Sequence, residues 1–333
     1  MTYWKQYLRL VAATQLLPAL ESGEETLVGG QAVLEGVMMR TPHAWGITVR
    51  KQSGETVTHA DVLQRPADKR NWMAWPVIRG VITLGYAMML GFRALKFSAN
   101  VALEEMTGSP LDASKPSEKV EISGWMATVN IILSLGFFIV FYKFLPLLAA
   151  TGLKHTFPAL DNRVLFNLVD GAIRIGLFLL FVWGISLTND IHRVYEYHGA
   201  EHKTVFAFET GEPVDVARAQ RFVTWHPRCG TSFLMTVMLI CIVVYSLFPV
   251  QTFWGKFALR IIALPFISGV SYELIRYAAR KRNSLFAMLT KPGLWLQRIT
   301  TQSPSDDQVV CAITALDAAL EIEKHNGGEL VIA

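Results

Sequence analysis

Two stretches without a single charged residue decide what this chain can fold into. Residues 124–142 read GWMATVNIILSLGFFIVFY, and residues 229–255 read CGTSFLMTVMLICIVVYSLFPVQTFWG. About 20 apolar residues of helix cross the hydrocarbon core of a bilayer, so each run is long enough to span one. A soluble enzyme remains a viable reading only for a chain without such a run. Composition agrees with the membrane. The 333 residues are 52% hydrophobic and only 17% charged, and the mean hydropathy is +0.32.

Two further runs are weaker. Residues 164–187 contain Asp170 and Arg174, whose i, i+4 spacing lets the two charges neutralise each other on one helix face. Residues 257–275 are interrupted by Arg260, Pro265 and Gly269 and end in the Glu273 and Arg276 region, where an ion pair is expected. Residues 76–101 carry Arg79, Thr83, Tyr86, Arg93, Lys96 and Asn100 largely on one side of a helical wheel. That pattern predicts a basic amphipathic helix, interfacial or re-entrant, with a full span as the alternative.

Basic residues orient the spans. Six lie in 40–70, five in 188–232 and six in 276–298, against two in 151–163 and one in 252–258. Basic loops stay in the cytoplasm, so four spans with both termini inside satisfy every count. The expected protein is a mainly α, polytopic helical protein of the cell (inner) membrane. About four transmembrane helices and one interfacial amphipathic helix accompany a small β-rich N-terminal cytoplasmic element. No cleavable leader is read at the N-terminus, where Gln15 and Pro18 break a short apolar stretch. The three cysteines, Cys229, Cys241 and Cys311, lie far apart and suggest no disulfide framework.

The organisation along the chain follows. Residues 1–27 read as a flexible segment. Residues 28–70 alternate Gly, Val and Thr, with SGE at 53–55 as a hairpin turn. Residues 71–105 hold the interfacial helix, 124–187 a first transmembrane hairpin and 233–275 a second. Between the hairpins, 188–232 is a cytoplasmic loop. Residues 276–333 comprise a basic loop and an amphipathic helix beginning near SPSDD, which is expected to pack rather than to do chemistry.

The chemistry concentrates in the 188–232 loop. TND at 188–190 starts a helix and Gly211 stops it. On that helix, His198-Gly-Ala-Glu201-His202 places two imidazoles on one face, four residues apart. H-x-x-E-H is the inverted form of the zinc-protease signature, with the histidines as metal ligands and the glutamate as general base. A catalytic zinc usually takes three protein ligands. The candidates for the third are His226 and Cys229, three apart in the turn HPRCG, and one or both complete the site. A cysteine thiolate favours Zn²⁺ over Mg²⁺. The plain alternative is a pair of helix histidines that face solvent or pack. Asp190, His192 and Glu196 read as capping and surface groups. In GGQAVLEGVMMR, Glu35 reads as one half of an edge charge pair with Arg40 or as a carboxylate folded back toward the histidines.

Three motifs in order, GGQAVLEGVMMR at 29–40, YHGAEHK at 197–203 and HPRCGTSF at 226–233, resemble the YqhQ-like family of bacterial membrane proteins. The likeness runs from about residue 28 to about residue 300. Members are of unknown function and are sometimes described as metal-dependent enzymes. The resemblance implies a membrane protein with a metal site and leaves the reaction open. The assignment of His198, His202, His226 and Cys229 rests on spacing.

Three functions fit to different degrees. The first is a membrane-embedded zinc hydrolase acting on a peptide, a lipid or another amide or ester, with Glu201 as base. The second is a non-catalytic scaffold or regulatory protein whose His/Cys cluster is structural, which predicts both His226 and Cys229 on one metal. The third, a transporter, needs polar residues at mid-membrane depth, and the sequence offers only Asp170 and Arg174. The expected partners are the lipid bilayer and a substrate or protein whose identity stays open, as does oligomeric state. No nucleic-acid motif is present, and topology and anionic lipid explain the basic loops.

Overall fold

A computed structural model describes residues 28–63, 71–107, 124–226, 229–280 and 291–325. The segment 1–27, expected to be flexible, lies outside the described residues.

The N-terminal element is a four-stranded antiparallel meander. It comprises β1 (Gly29–Val33), β2 (Gly36–Arg40), β3 (Ala44–Arg50) and β4 (Thr56–Val62), in the order β1-β2-β3-β4. The expected hairpin around SGE joins β3 to β4, with Gly54 at φ +88°. The pleat sends alternate side chains to opposite faces. Val37 and Met39 face a core built with α5 (Asn189–Glu209) and α11 (Asp306–His325). Met38, Ile47 and Val49 face the other way, onto Leu90, Ala94 and Val101 of α1 (Ile78–Thr107). The sheet is therefore covered on both faces.

This packing bears on α1. The segment is one continuous helix, long and apolar enough over Ile78–Glu105 to cross a bilayer. From Leu90 onward, however, its buried side chains lie on the sheet, and Ser98 donates to the Leu34 carbonyl at 2.8 Å. Its first turn meets the chain near Glu273, which takes Arg79 in a two-pronged ion pair, Nε at 2.6 Å. Sequence spacing points to Arg276 as the partner of Glu273, and the fold adds Arg79.

The remaining helices form a bundle. Helix α2 (Gly124–Ile139) runs through a π-turn at Val140–Phe144 into α3 (Leu145–Thr156), and α4 (Arg163–Ser186) returns. A short α6 (Val216–Ala219) follows α5, and then comes α7 (Gly230–Leu247). Ile132–Thr156, Arg163–Ser186 and Gly230–Leu247 are each long and apolar enough to span. Helix thus continues through the expected 151–163 connector as far as Thr156. The uncharged run 229–255 breaks at Phe248, ahead of Pro249. Helices α8 (Phe253–Ile262) and α9 (Leu264–Arg280) replace the expected fourth span with a pair bent by 50° around Ala263. Pro265, in the first turn of α9, cannot donate to the helix ladder and marks the break. Among the described residues, four helices meet the criteria for a span, and the bent pair has the shape of a broken span or a re-entrant loop.

Helix α10 (Lys291–Thr300) packs on α7 and α4, with Leu296 against Val182 and Met235. Helix α11 opens with a capping box. Ser305 Oγ accepts from Gln308 N–H, and Gln308 Oε1 accepts from Ser305 N–H at 2.9 Å. It then packs across the sheet as the sequence expects. Glu323 near its end takes Thr41 Oγ1 and His43.

Candidate metal centre

Helix α5 begins and ends close to where the sequence put it. Thr188 has the extended backbone of an N-cap, but its hydroxyl donates to Ile185 O at 2.8 Å rather than accepting from the helix. Gly211 at φ +73° lies just beyond the helix end. On the buried face of α5, His198 and His202 stack edge-on with ring centroids 4.4 Å apart.

Backbone carbonyls fix both rings. His198 Nδ1 donates to Thr300 O at 2.8 Å, at the end of α10, and His202 Nδ1 donates to Thr224 O in the loop before α7. A carbonyl only accepts, so each Nδ1 carries the proton and each Nε2 is left with a lone pair. His202 Nε2 is fully buried and has no hydrogen-bond partner among the described residues. Cys229 comes from the N-cap of α7. Its Sγ stands 3.2 Å from His198 Nε2 and accepts from Thr231 N–H at 3.5 Å. One ligand atom each from His198, His202 and Cys229 lies within 4.8 Å of the others.

Two imidazoles locked in the Nδ1–H tautomer and one thiol at a helix N-terminus form a set suited to a soft-to-borderline metal such as zinc. Carbonyls that hold the far nitrogen of a ligating histidine are the usual outer support of such sites. Burial, and then His198, hold the His202 pKa below the usual imidazole value, which keeps it neutral and able to ligate.

His226 is not part of this group. Its Nε2 lies 3.2 Å from Glu209 Oε1, and its ring packs edge-on against Phe206. Two of the residues between it and Cys229 lie outside the described set. Gln297, fully buried, clamps this turn. Its Oε1 accepts from His226 N–H at 2.7 Å, and its Nε2 donates to His226 O at 2.8 Å and Ser232 Oγ at 3.1 Å.

Glu201 lies beneath the two rings, with Oε2 3.8 Å from both Nε2 atoms. It is buried, and burial pushes its pKa above the ordinary carboxylate range. His198, the Gly30 N–H and the Arg40 guanidinium pull the other way. Gly30 leaves room for this contact. A Cβ there would stand 2.7 Å from Glu201 Cγ and 2.6 Å from Met38 O. Gly199 is equally constrained, because its Cβ would meet Gln302 O at 2.0 Å.

Glu35 follows neither reading made of it. It occupies the β1–β2 turn at φ +53°, pairs with Arg193 Nε and Nη2 at 2.5 Å each, and accepts from Tyr197 Oη at 3.3 Å. It therefore ties the sheet to the first half of α5 rather than to the histidines or to Arg40. From the same motif, Gly30 and Arg40 reach the site instead. His192 and Glu196 form a surface pair at 3.6 Å, and Glu196 also accepts from Gln308 of α11. The sequence missed Gly30, Arg40, Thr224, Gln297 and Thr300. Thr224 and Thr300 act through backbone carbonyls, which no residue spacing reveals. Lys203 was also missed: next to the motif, it donates to the carbonyls of Gln220 and Phe222 and holds the 220–226 loop against α5.

Comparison with known proteins places these motifs. The chain is 29% identical over 300 residues to the uncharacterized protein YqhQ of Bacillus subtilis (strain 168), spanning 89% of this chain and 92% of that one. No solved structure matches. The family described as "Protein of unknown function (DUF1385)" matches residues 75–322, which include both histidine motifs and the bundle, and the chain belongs to this YqhQ-like family.

Proposed function

We propose that this protein is a multi-pass protein of the cell (inner) membrane. On this reading it binds zinc through His198, His202 and Cys229 at the cytoplasmic face and acts as a metal-dependent hydrolase. One observation carries the metal reading. Both histidines spend Nδ1 on a backbone carbonyl, so two Nε2 lone pairs converge with the Cys229 sulfur, and one of them is buried without a partner.

Topology is argued from three features. The sheet, α5 and α11 form one packed unit, so the N-terminal strands and the C-terminal helix share a side. Arg40 and Arg50 of the sheet and Arg193 and Lys203 of α5 belong to that unit, and basic residues favour the cytoplasm. The apolar helices Ile132–Thr156, Arg163–Ser186 and Gly230–Leu247, with the bent α8–α9 pair as the fourth crossing, supply the membrane part, and α1 stays with the sheet.

Zinc in a site of this kind supplies Lewis-acid polarisation of a carbonyl or a water. The protein side of the reaction falls to Glu201. Its raised pKa brings a carboxylate closer to the range where a proton is taken and returned at neutral pH. Three protein ligands leave one position open to a peptide, lipid or other amide or ester. The equal 3.8 Å distances from Glu201 to both rings also favour a second reading. In that reading Glu201, which lies outside the three-residue group, closes in as a fourth ligand, and the site is a structural tie in a scaffold or regulatory protein.

Elemental analysis of detergent-purified protein beside a His198→Ala/His202→Ala variant tests the metal. Zinc at about one per chain, lost in the variant, supports the site. No metal in either after metal-replete growth ends the zinc reading. Glu201→Gln separates the two roles. Zinc retained with hydrolysis lost marks a base, and zinc lost marks a ligand.

A further inference from the structure

A second buried polar cluster lies at the other end of the bundle. Asp170 Oδ2 takes Arg174 Nη2 at 2.5 Å, as the i, i+4 spacing predicts, and also Arg260 Nη2 of α8 at 3.1 Å. Lys143, in the π-turn, is buried within electrostatic range of Cys241, Arg174, Arg260 and Asp170. The four charged residues are at least 96% buried. The sequence counted two such residues, and the fold brings four together.

The charges do not balance. Three basic side chains face Asp170, the only carboxylate that ion-pairs with them among the described residues. Among the described residues, Arg174 Nε and Nη1 and Arg260 Nε are buried N–H donors without a partner, beside one orphaned acceptor, Asp170 Oδ1, while Arg260 Nη1 donates to Lys256 O and Nη2 to Asn167 Oδ1. Arg174 and Arg260 flank the Tyr245 ring at 5.5 and 5.0 Å, which offsets part of the cost of burial. An uncompensated buried cation is costly, and a chain that keeps one usually gives it a counter-ion.

Arg260, Asn167 and Tyr245 line a small open cleft of about 20 Å³. Lys154, Arg163 and Lys256, with Asp161, line it as well. The mouth lies where α3 ends and α4 begins, whereas the His/Cys site follows the opposite ends of α4 and α7. Basic side chains at a mouth raise the local concentration of anions, and planar guanidinium forks suit multi-oxygen anions better than a halide.

We propose that this cleft is a binding site for a phosphate-bearing anion, held by Arg260 with Lys143 and Arg174 behind it. The anion is either a free phosphate compound or the headgroup of an anionic lipid.

The full-length protein, reconstituted in phosphatidylcholine nanodiscs, is titrated with inorganic phosphate and followed by retention of radiolabel and by thermal unfolding. A parallel set of nanodiscs contains phosphatidylglycerol, and native mass spectrometry reads retained lipid. Phosphate binding in phosphatidylcholine indicates a small-anion site. Retention of phosphatidylglycerol without phosphate binding indicates a headgroup site. In either case Arg260→Gln and Lys143→Gln are expected to weaken binding roughly ten-fold or more. Lys143 makes no ion pair among the described residues, so Lys143→Gln decides the matter where Arg260→Gln fails to fold. The proposal is overturned where neither ligand binds the unsubstituted protein, or where both folded variants bind as it does.

Discussion

Helices α4 and α7 carry a polar cluster toward each end, and the two clusters have opposite needs. At the sheet end, His198 and His202 present lone pairs, and the buried His202 Nε2 lacks a donor or a cation. At the cleft end, Arg174 and Arg260 present N–H groups that lack an acceptor. The first cluster turns ring acceptors inward, while the second gathers three basic side chains around one carboxylate. A buried polar atom left over after every internal bond is formed points to what the site takes. An orphaned acceptor asks for a cation and orphaned donors ask for an anion.

Several substitutions break or sharpen this contrast. The largest effect is expected at the cleft end. Asp170→Asn leaves buried guanidinium groups without their carboxylate and is expected to cost about 3–5 kcal/mol, read by thermal or denaturant unfolding in detergent. An undiminished stability would mean that the arginines reach another acceptor. Next is Gly199→Ala, whose Cβ collides with the Gln302 carbonyl and levers α5 away from residues 300–302. Overpacking of this kind costs about 1–3 kcal/mol. Zinc retention is expected to fall with it, because Thr300 moves off His198.

Gln297→Leu is expected to act more narrowly. It strands the His226 backbone and Ser232 Oγ and loosens the turn that carries Cys229. Support lost around ligands typically lowers metal affinity about 10–100-fold. Competition with a zinc chelator measures it, and unchanged affinity would place the Cys229 turn under some other control.

The smallest effect is pH-dependent and belongs to the sheet side alone. Burial raises the Glu323 pKa, but the bonds from Thr41 and His43 outweigh it and hold the carboxyl below its ordinary value of 4.5. A depressed carboxyl stabilises the fold above 4.5, and that contribution is lost as pH falls through the folded-state value. Glu323→Gln should therefore cost about 1 kcal/mol at neutral pH, with the difference closing in acid. A constant difference across pH would assign the effect to packing of α11 instead.

The sequence disclosed those parts of the protein that depend on composition or on local spacing. Uncharged runs announced the bundle, and the i, i+4 rule found both His198/His202 and Asp170/Arg174. Cys229 was legible because it lies at the start of an apolar run. Relations across long separations were not legible. The second partner of Asp170 is Arg260, ninety residues away along the chain. The carbonyls that orient the histidines have no side-chain signature. His226 looked equivalent to Cys229 in HPRCG, and only the fold turns it toward Glu209. The 76–101 segment was ambiguous for a related reason. Its length and apolar content suit a bilayer, and its contact with the sheet depends on strands that precede it.

The covering of the sheet by α11 has a consequence for biosynthesis. Strands β1–β4 leave the ribosome before the helices of the bundle, yet Val37 and Met39 find Val309, Ala312 and Leu316 only after α11 is made. Throughout insertion of the intervening helices, one apolar face of the nascent sheet lacks the helix that closes it. His198 also has no Thr300 to hold it until residue 300 has emerged. A metal held by these residues would therefore settle only once residue 300 is in place, well after the last ligand, Cys229, has been made.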